Sequence, residues 1–198
     1  MSRSQRTPTN NLVQHIRNYV PVSDDEAMQL ASVPDTVTLK KNERLLEAGQ
    51  ICRAVYFVSK GCLRMYFIKE NGTEQITQFA IENWWMADYM SLTTRTPSSF
   101  FIEAVEDTVV LRLDRHKSDE LVERIPQAER YFRLVLERAY AAAQFRIHYL
   151  YKYSREELYQ HFKTNFPGFV QRVPQYMLAS YLGFTPEYLS ELRRKEMR

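Results

Sequence analysis

The pattern of apolar and polar positions changes along the chain, from short alternating runs in the first part to longer helical repeats in the second. The short runs are rich in Val, Ile, Tyr and Phe, which predicts strands. Gly61 divides two such runs, and Asn71-Gly72 is a pair typical of tight hairpins. Together the runs indicate a compact antiparallel barrel or sandwich of roughly 75 residues. The predicted strands span residues 37–39, 44–46, 54–59, 62–68, 74–79, 99–104 and 109–114.

Helical periodicity is found near the N-terminus and again after the last predicted strand. Ser23 is a suitable N-cap, with acidic residues in the first turn that follows it. Ile125-Pro126 ends a short helix, and the next 25 residues, 127–151, contain neither glycine nor proline. We therefore predict one long helix there, and two short N-terminal helices packed on the strands. The predicted helices span residues 11–19, 24–32, 118–124 and 127–151.

Two apolar stripes run along the predicted long helix. One recurs at alternating three- and four-residue spacing, as in helices that pair lengthwise. This stripe predicts a homodimer, and burial within a monomer is the alternative. The first stripe comprises Phe132, Val135, Ala139, Ala142, Arg146 and Tyr149, and the second, which could face the barrel, comprises Tyr131, Leu134, Ala141 and Phe145.

The C-terminal segment has the pattern of a helix-turn-helix. Leu178 and Leu182 lie on the apolar side of a first helix, and Gly183 supplies the backbone freedom of a sharp turn. Thr185 and Pro186 then suit the cap and the first position of a second helix. This pattern favours a DNA-recognition unit, with an ordinary helical hairpin as the alternative.

The region before this unit predicts one further helix. Ser154 and Glu157 form the pattern of a capping box at its start. Residues 165–168, Asn-Phe-Pro-Gly, end it, and residues 169–173 are predicted to be a β-prone connection. The C-terminal region is therefore expected to hold three helices.

The composition is that of an ordinary globular protein of 198 residues, with 44% hydrophobic and 26% charged positions. A net charge of +3 is too small to establish a nucleic-acid partner. Placement is more informative, because the last residues include a basic cluster that could contact phosphates. No apolar run could cross a bilayer, and residues 1–10 lack the apolar segment of a secretory signal, so we expect a cytoplasmic protein. The basic cluster comprises Arg193, Arg194, Lys195 and Arg198.

Catalytic and metal chemistry has little support in the sequence. Cys52 and Cys62 are too few for an iron–sulfur or zinc site built from cysteine alone, so we interpret them as buried thiols, with a redox pair as the alternative. No Ser-His-Asp arrangement or phosphate loop is present, so we expect no enzyme activity, metal or cofactor. The histidines show no metal-ligand spacing and lie at His15, His116, His148 and His161.

The order of barrel, long helix and helix-turn-helix resembles the Crp/Fnr family of bacterial transcription regulators. The resemblance covers nearly the whole chain. Residues 45–65 look like the family's glycine turn, strand, Lys-Gly turn and strand, and residues 71–79 resemble the hairpin that follows. Each segment alone is only moderately specific for the family. Their order, together with the terminal helix-turn-helix, argues against a chance resemblance.

The resemblance implies an α+β fold, an antiparallel β-roll of the double-stranded β-helix or jelly-roll type with flanking helices. Residues 1–125 would form a cyclic-nucleotide-binding-like sensor domain. Residues 126–152 would form a long dimerisation helix and linker, and residues 153–198 the helix-turn-helix DNA-binding domain. The expected function is a homodimeric DNA-binding transcription regulator, whose partners are a double-stranded DNA operator and RNA polymerase.

The phosphate-binding cassette departs from the family pattern. Crp-like members that bind cyclic nucleotides have a Gly-Glu pair, a short helix, and Arg followed by Ser or Thr. Here Ala87-Asp88 stands at the acidic pair and Ser98-Ser99 at the arginine position. A cyclic phosphate removed from water needs a cation, and Arg95 could supply it only if its loop folds inward. Binding of cyclic AMP or cyclic GMP is therefore disfavoured. A cyclic-nucleotide receptor is kept as a third hypothesis, after the transcription regulator and a module that does not recognise DNA.

Aromatic residues surround the cassette position. They could form a site for a hydrophobic or aromatic effector of unknown identity. Alternatively, the rings fill a degenerate pocket and no ligand is sensed. The candidate ligand-pocket residues are Trp84, Trp85, Asp88, Tyr89, Ser98, Ser99 and Phe100.

The resemblance also implies which residues contact DNA. Glu187 can accept a hydrogen bond from cytosine N4, and Thr185 can bond to phosphate or a base edge. Many relatives carry arginine at the position of Glu191, and we expect no β-wing after the second helix. These departures favour the rival hypothesis, a ligand-binding or protein-interaction module that no longer recognises DNA. The candidate DNA-binding residues are Gln175, Thr185, Pro186, Glu187, Tyr188, Ser190, Glu191, Arg193, Arg194 and Lys195.

Overall fold

The computed structural model describes residues 7–196, which form two compact units. One unit comprises residues 7–65 and 79–137. The other comprises residues 66–78 and 138–196, a β-hairpin together with the C-terminal helices.

Two four-stranded sheets have the orders β1-β8-β3-β6 and β2-β7-β4-β5. The pairs β1–β8, β3–β8, β3–β6 and β2–β7 are antiparallel, as expected for a β-roll. All predicted strands are present with small shifts at their ends, and the α+β fold class is confirmed. The two-residue β6 was not predicted. The strands are β1 (Asp35–Leu39), β2 (Arg44–Leu46), β3 (Ala54–Lys60), β4 (Leu63–Ile68), β5 (Glu74–Ala80), β6 (Trp85–Met86), β7 (Phe101–Ala104) and β8 (Thr108–Asp114).

One apolar cluster draws residues from both sheets. Val58, Leu63 and Ile102 are completely buried in it, because alternation along each strand directs every second side chain to the same face. Gly61 makes the turn from β3 to β4 with φ +102°, and a Cβ there would lie 2.4 Å from the hydroxyl of Thr108. That hydroxyl accepts a hydrogen bond from the amide of Cys62 at 3.2 Å, which anchors the turn to β8.

The N-terminal helices are α1 (Pro8–Arg17) and α2 (Asp24–Ser32). The bounds of α2 match the prediction, and Ser23 forms a capping box with Glu26. Helix α1 begins three residues before its predicted start, because Thr7 caps it and Pro8 occupies the first turn. Both helices pack on the outer residues of the roll in a second apolar cluster.

Three more helices belong to the middle of the chain: α3 (Tyr89–Thr94), α4 (Arg115–Arg124) and α5 (Pro126–Lys152). Ile125 separates α4 from α5 in an extended conformation, as expected for the residue before proline. The predicted long helix is therefore confirmed. No helix in the described part of the chain is both long and apolar enough to span a membrane.

The C-terminal helices are α6 (Arg155–Asn165), α7 (Pro167–Arg172), α8 (Gln175–Leu182) and α9 (Pro186–Glu196). The β-prone connection predicted at 169–173 is wrong, because α7 occupies most of that segment. Pro167 provides a helical first position, and the amide of Val170 donates to the carbonyl of Phe166 at 3.0 Å. Burial of Val170 among the other helices then outweighs its strand propensity. The described C-terminal region thus contains four helices rather than three.

The hairpin of β4 and β5 contacts α8 within the second unit. The amide of Ile76 donates to the Ser180 hydroxyl at 2.9 Å, and this hydroxyl donates to the carbonyl of Glu74 at 2.8 Å. The side-chain amide of Gln75 also donates to the carbonyl of Ser180. Since β5 is the last strand in the order of its sheet, Ser180 satisfies backbone groups that no further strand pairs with.

Candidate nucleic-acid interface and effector site

The turn between α8 and α9 is a Schellman motif. Gly183 adopts the left-handed conformation, with φ +78°, and its amide donates to the carbonyl of Ser180 at 3.2 Å. The amide of Phe184 donates to the carbonyl of Ala179 at 2.8 Å, which completes the motif, and the Phe184 ring is buried. The glycine identified in the sequence is therefore required by the backbone, and the predicted helix-turn-helix is present.

Helix α9 begins and packs as its sequence predicts. The hydroxyl of Thr185 accepts from the amide of Tyr188 at 3.3 Å, which satisfies one free donor of the first turn. Leu189 and Leu192 are buried against α8 and α6 in the core of the unit. This packing determines which side of α9 is left for a partner.

The exposed face of α9 carries most of the candidate DNA-binding residues. Two of the ten are held in the unit's own packing instead. Gln175 is half-buried and donates to the carbonyl of Val170 at 3.3 Å. Tyr188 is half-buried and contacts Phe184 edge to face, with the guanidinium of Arg155 5.6 Å from its ring centre. The exposed residues are Thr185, Pro186, Glu187, Ser190, Glu191, Arg193, Arg194 and Lys195.

Charge is unevenly distributed along this face. Glu187 lies in the first turn, where it complements the helix dipole, and Arg193 and Arg194 lie in the last turn, where cations are favourable. Lys195 approaches Glu191 to 3.4 Å as an exposed pair. Arg198 of the predicted basic cluster lies outside the described residues, as do residues 1–6 of the N-terminal segment.

In the second unit, the long helix holds the helix-turn-helix through Arg146 and an aromatic cluster. Arg146 donates to the carbonyl of Tyr181 at 2.9 Å, and its guanidinium lies 4.4 Å from the centre of the Tyr181 ring. The rings of Tyr149 and Tyr153 contact the ring of His161 of α6. Their centres lie 4.5 Å and 5.1 Å, respectively, from the centre of the His161 ring. Two residues of the predicted dimer stripe are therefore used within the chain.

The first half of the stripe is also in contact with the protein's own core. Phe132 packs edge-on against Trp85 with ring centres 5.6 Å apart, and Val135 joins the same cluster. Ala139 is half-buried and Ala142 exposed. A neighbouring stripe is more open to solvent, and its members follow at three- and four-residue spacing. This exposed stripe comprises Tyr140, Ala143, Ile147 and Leu150.

The second sequence stripe is divided. Tyr131 is buried and Leu134 packs against the core, as expected for a face turned toward the roll. Ala141 is half-buried, whereas Phe145 is 59% exposed.

The cassette is closed by a buried polar network around Asp88. Its carboxylate caps α3, accepting from the amides of Met90 at 3.1 Å and Ser91 at 3.2 Å, and from the hydroxyl of Ser98 at 2.6 Å. The Ser91 hydroxyl donates to the carbonyl of Thr96 and accepts from the amide of Cys52. Asp88 and Ser98 thus stabilise the local backbone rather than presenting unused groups to a ligand.

Arg95, the arginine that the sequence offered to the cassette, lies at the surface. Arg95 is exposed and ends α3 in the left-handed conformation, with φ +57°. Cyclic-nucleotide binding would require the loop of Arg95 to fold inward. The structure shows Arg95 exposed instead.

The aromatic residues assigned to the pocket are dispersed. Trp85 is buried, and its indole N–H donates to the hydroxyl of Tyr131 at 2.9 Å. That hydroxyl also hydrogen-bonds to His15 Nδ1 at 2.7 Å, and burial raises the pKa of Tyr131. Trp85 is therefore a core residue linking α1, β6 and α5. No local pattern could predict this network, because its members are far apart in the chain.

The other pocket residues lie nearer to solvent. Trp84 is 44% exposed, Ser99 is exposed and Phe100 is half-buried. Tyr89 is 39% exposed, and desolvation raises the pKa of its hydroxyl to about 12.

A buried ion pair in the first unit was also missed by the sequence reasoning. Arg64 and Glu103 are 5% and 3% exposed, and Arg64 Nη2 lies 2.7 Å from Glu103 Oε1. Arg44 donates to the second carboxylate oxygen at 3.1 Å, which distributes the charge over two guanidinium groups.

Neither cysteine forms a disulfide. Cys52 and Cys62 are both buried, and burial raises the pKa of the Cys52 thiol. Among residues 7–196, no cluster of three or more His, Cys, Asp or Glu side chains could hold a metal ion.

Known proteins support the same architecture. A family model described as the cyclic nucleotide-binding domain matches residues 36–125. The regulatory protein HlyX of Actinobacillus pleuropneumoniae is 24% identical, over 86% of this chain and 75% of its own length. The fumarate and nitrate reduction regulatory protein of Vibrio cholerae is 26% identical, over 78% of this chain and 65% of its own length. FixK2 from Bradyrhizobium japonicum has a TM-score of 0.68 at 19% identity, covering 82% of this chain and 84% of FixK2.

A cyclic-nucleotide-binding-type roll, followed by a long helix and a helix-turn-helix, defines the class of fold. With these relatives, it shows that the chain is similar to the Crp/Fnr family of transcription regulators. The resemblance inferred from the sequence is confirmed.

Proposed function

We propose that this protein is a homodimeric transcription regulator that binds operator DNA through α9. The observation that carries the proposal is the exposed polar face of α9, presented by a helix-turn-helix with a Schellman turn and a buried core. In this proposal residues 1–125 are the sensor domain, 126–152 the dimerisation helix and linker, and 153–198 the DNA-binding domain. A regulator of bacterial operators acts in the cytoplasm, with RNA polymerase as a further partner.

Five of the eight exposed candidate residues have a specific role in this proposal. Glu187 accepts from cytosine N4 in the major groove, and Thr185 bonds to phosphate or a base edge. Arg193, Arg194 and Lys195 neutralise phosphates beside the groove. The relatives named above are regulatory proteins, which favours this function over an enzyme or a module that has lost DNA recognition.

Dimerisation through α5 would place two copies of α9 on one face of the duplex. Two such helices bind half-sites about one helical turn apart, roughly 34 Å from centre to centre, so the operator is expected to be palindromic. The exposed stripe of α5 supplies an apolar surface with the spacing of a helix pair.

Selection from randomised double-stranded DNA tests this function. We expect the full-length protein to enrich a palindromic site at low salt. Arg194→Ala should weaken binding to all sequences and reduce the slope of log K against log salt by about 1. Arg124→Ala, an exposed arginine of α4, is the matched control and should change neither. Failure to enrich any palindrome at low salt would exclude the regulator.

The sensor is proposed to respond to something other than a cyclic nucleotide, or to no ligand. The hydrogen bonds of Asp88 and Ser98 within the cassette, and the outward position of Arg95, support this proposal. Calorimetric titration with cyclic AMP and cyclic GMP should show no binding below millimolar concentration. Micromolar affinity for either would overturn it.

A further inference from the structure

We propose that Glu191 is a second base-specificity residue, which recognises a cytosine in the operator half-site. The inference rests on the proposed DNA-binding function and concerns which base this chain selects. It arises from the position of Glu191 on α9 and from the hydrogen-bonding chemistry of a carboxylate.

The packing of α9 places Glu191 on the surface left for DNA. Leu189 and Leu192 are buried, so the opposite side of the helix faces outward. Glu187 and Glu191 are one helical turn apart on that exposed side, and both lie in the first two turns of α9. In a helix-turn-helix, residues of this part of the second helix are the ones that reach base edges.

An ionised carboxylate can only accept hydrogen bonds, and this limits the bases that it can select. Guanine presents two acceptors in the major groove and repels it. Adenine presents an acceptor beside its amino group, whereas cytosine presents the N4 amino donor with no acceptor of its own beside it. Glu191 therefore fits cytosine best.

The spacing of the two carboxylates corresponds to about two base-pair steps. Four residues of α-helix advance about 6 Å, and successive base pairs are about 3.4 Å apart. Glu187 and Glu191 can thus contact bases roughly two steps apart. We expect a half-site with two C·G pairs separated by one intervening pair.

Lys195 makes an acidic residue tolerable at this position. Its Nζ lies 3.4 Å from Glu191 Oε1, so it offsets the carboxylate charge near the phosphates. Local helix energetics give no separate reason for an acid here. Attraction to Lys195 is balanced by repulsion from Glu187 at the same four-residue spacing, and both residues of the pair are largely exposed.

Selection with variants of the full-length protein tests the inference. Glu191→Arg should replace the corresponding cytosine by guanine in the selected half-site, because arginine pairs with guanine O6 and N7. Glu191→Gln should shift the preference to adenine. Each variant should lose about tenfold or more in affinity for the wild-type site. The matched control is Glu156→Gln, an exposed acid in the first turn of α6, which should leave the selected site unchanged.

The outcomes separate this inference from the proposed function. If the wild-type protein enriches a palindrome and Glu191→Gln retains both that sequence and its affinity, Glu191 serves only as the helical partner of Lys195 and the inference is overturned. If the wild-type protein enriches no site, the regulator function fails and the inference fails with it. Circular dichroism of each variant checks that α9 remains folded.

Discussion

The carboxylate of Asp88 accepts hydrogen bonds from two amides of α3 and from the hydroxyl of Ser98, all within the cassette. Asp88→Ala removes the acceptor of all three donors, of which the Ser91 amide and the Ser98 hydroxyl are buried. We expect the free energy of unfolding to fall by about 1–3 kcal/mol, measured by urea denaturation. Asp25→Ala, an exposed acid of α2, is the control and should change stability by about 0.5 kcal/mol or less. An unchanged urea midpoint for Asp88→Ala would show that the network does not stabilise the fold.

Trp84 and Trp85 illustrate how far the candidate site could be predicted at the scale of single residues. The sequence placed both in a ligand pocket, but Trp85 is buried against α5 and Trp84 is 44% exposed. The strand β6 has only two residues, too few for alternation to indicate which ring turns inward. The hydrogen-bond partner of Trp85, Tyr131, lies 46 positions away, so no local pattern could identify it.

Among the elements, the contact between β5 and α8 depends on one hydroxyl. Ser180→Ala removes the acceptor of the Ile76 amide and the donor to the carbonyl of Glu74. Ile76 is 1% exposed, so water cannot readily replace the lost bond. We expect a loss of about 1–3 kcal/mol in the free energy of unfolding and faster hydrogen exchange at the Ile76 amide.

The control for this contact is Ser190→Ala, an exposed serine of α9, which should leave the exchange of Ile76 unchanged. Equal exchange rates in the wild type and Ser180→Ala would mean that the hydroxyl does not hold the hairpin.

Element boundaries were predictable where the determining contacts are local. The capping boxes at Ser23 and Ser154 close within three residues, so the starts of α2 and α6 follow from the sequence alone. The segment 169–173 was predicted incorrectly because Phe and Val favour strands, whereas burial of Val170 in the C-terminal core favours a helix. That burial depends on remote helices and leaves no periodic signal in so short a segment.

At the scale of the whole molecule, the order of roll, long helix and helix-turn-helix was predictable because each part has its own periodicity. The side of α5 that is left exposed was not. The spacing of apolar residues identifies stripes, but contacts of Phe132 with Trp85 and of Arg146 with Tyr181 decide which stripe is used within the chain. The stripe left exposed is displaced by one residue from the stripe predicted from the sequence. Substitutions on different sides of α5 can therefore test which face forms the dimer.

The dimer prediction follows from that displacement. Ile147 is 54% exposed at the centre of the exposed stripe, and Ile147→Glu would place a charge in the proposed helix pair. We expect this variant to be monomeric by analytical ultracentrifugation and to lose tight binding to a palindromic operator. Phe145→Glu is the matched control, since Phe145 is 59% exposed but lies on the opposite side of α5. A dimer that survives Ile147→Glu and dissociates with Phe145→Glu would place the interface on the other face of the helix.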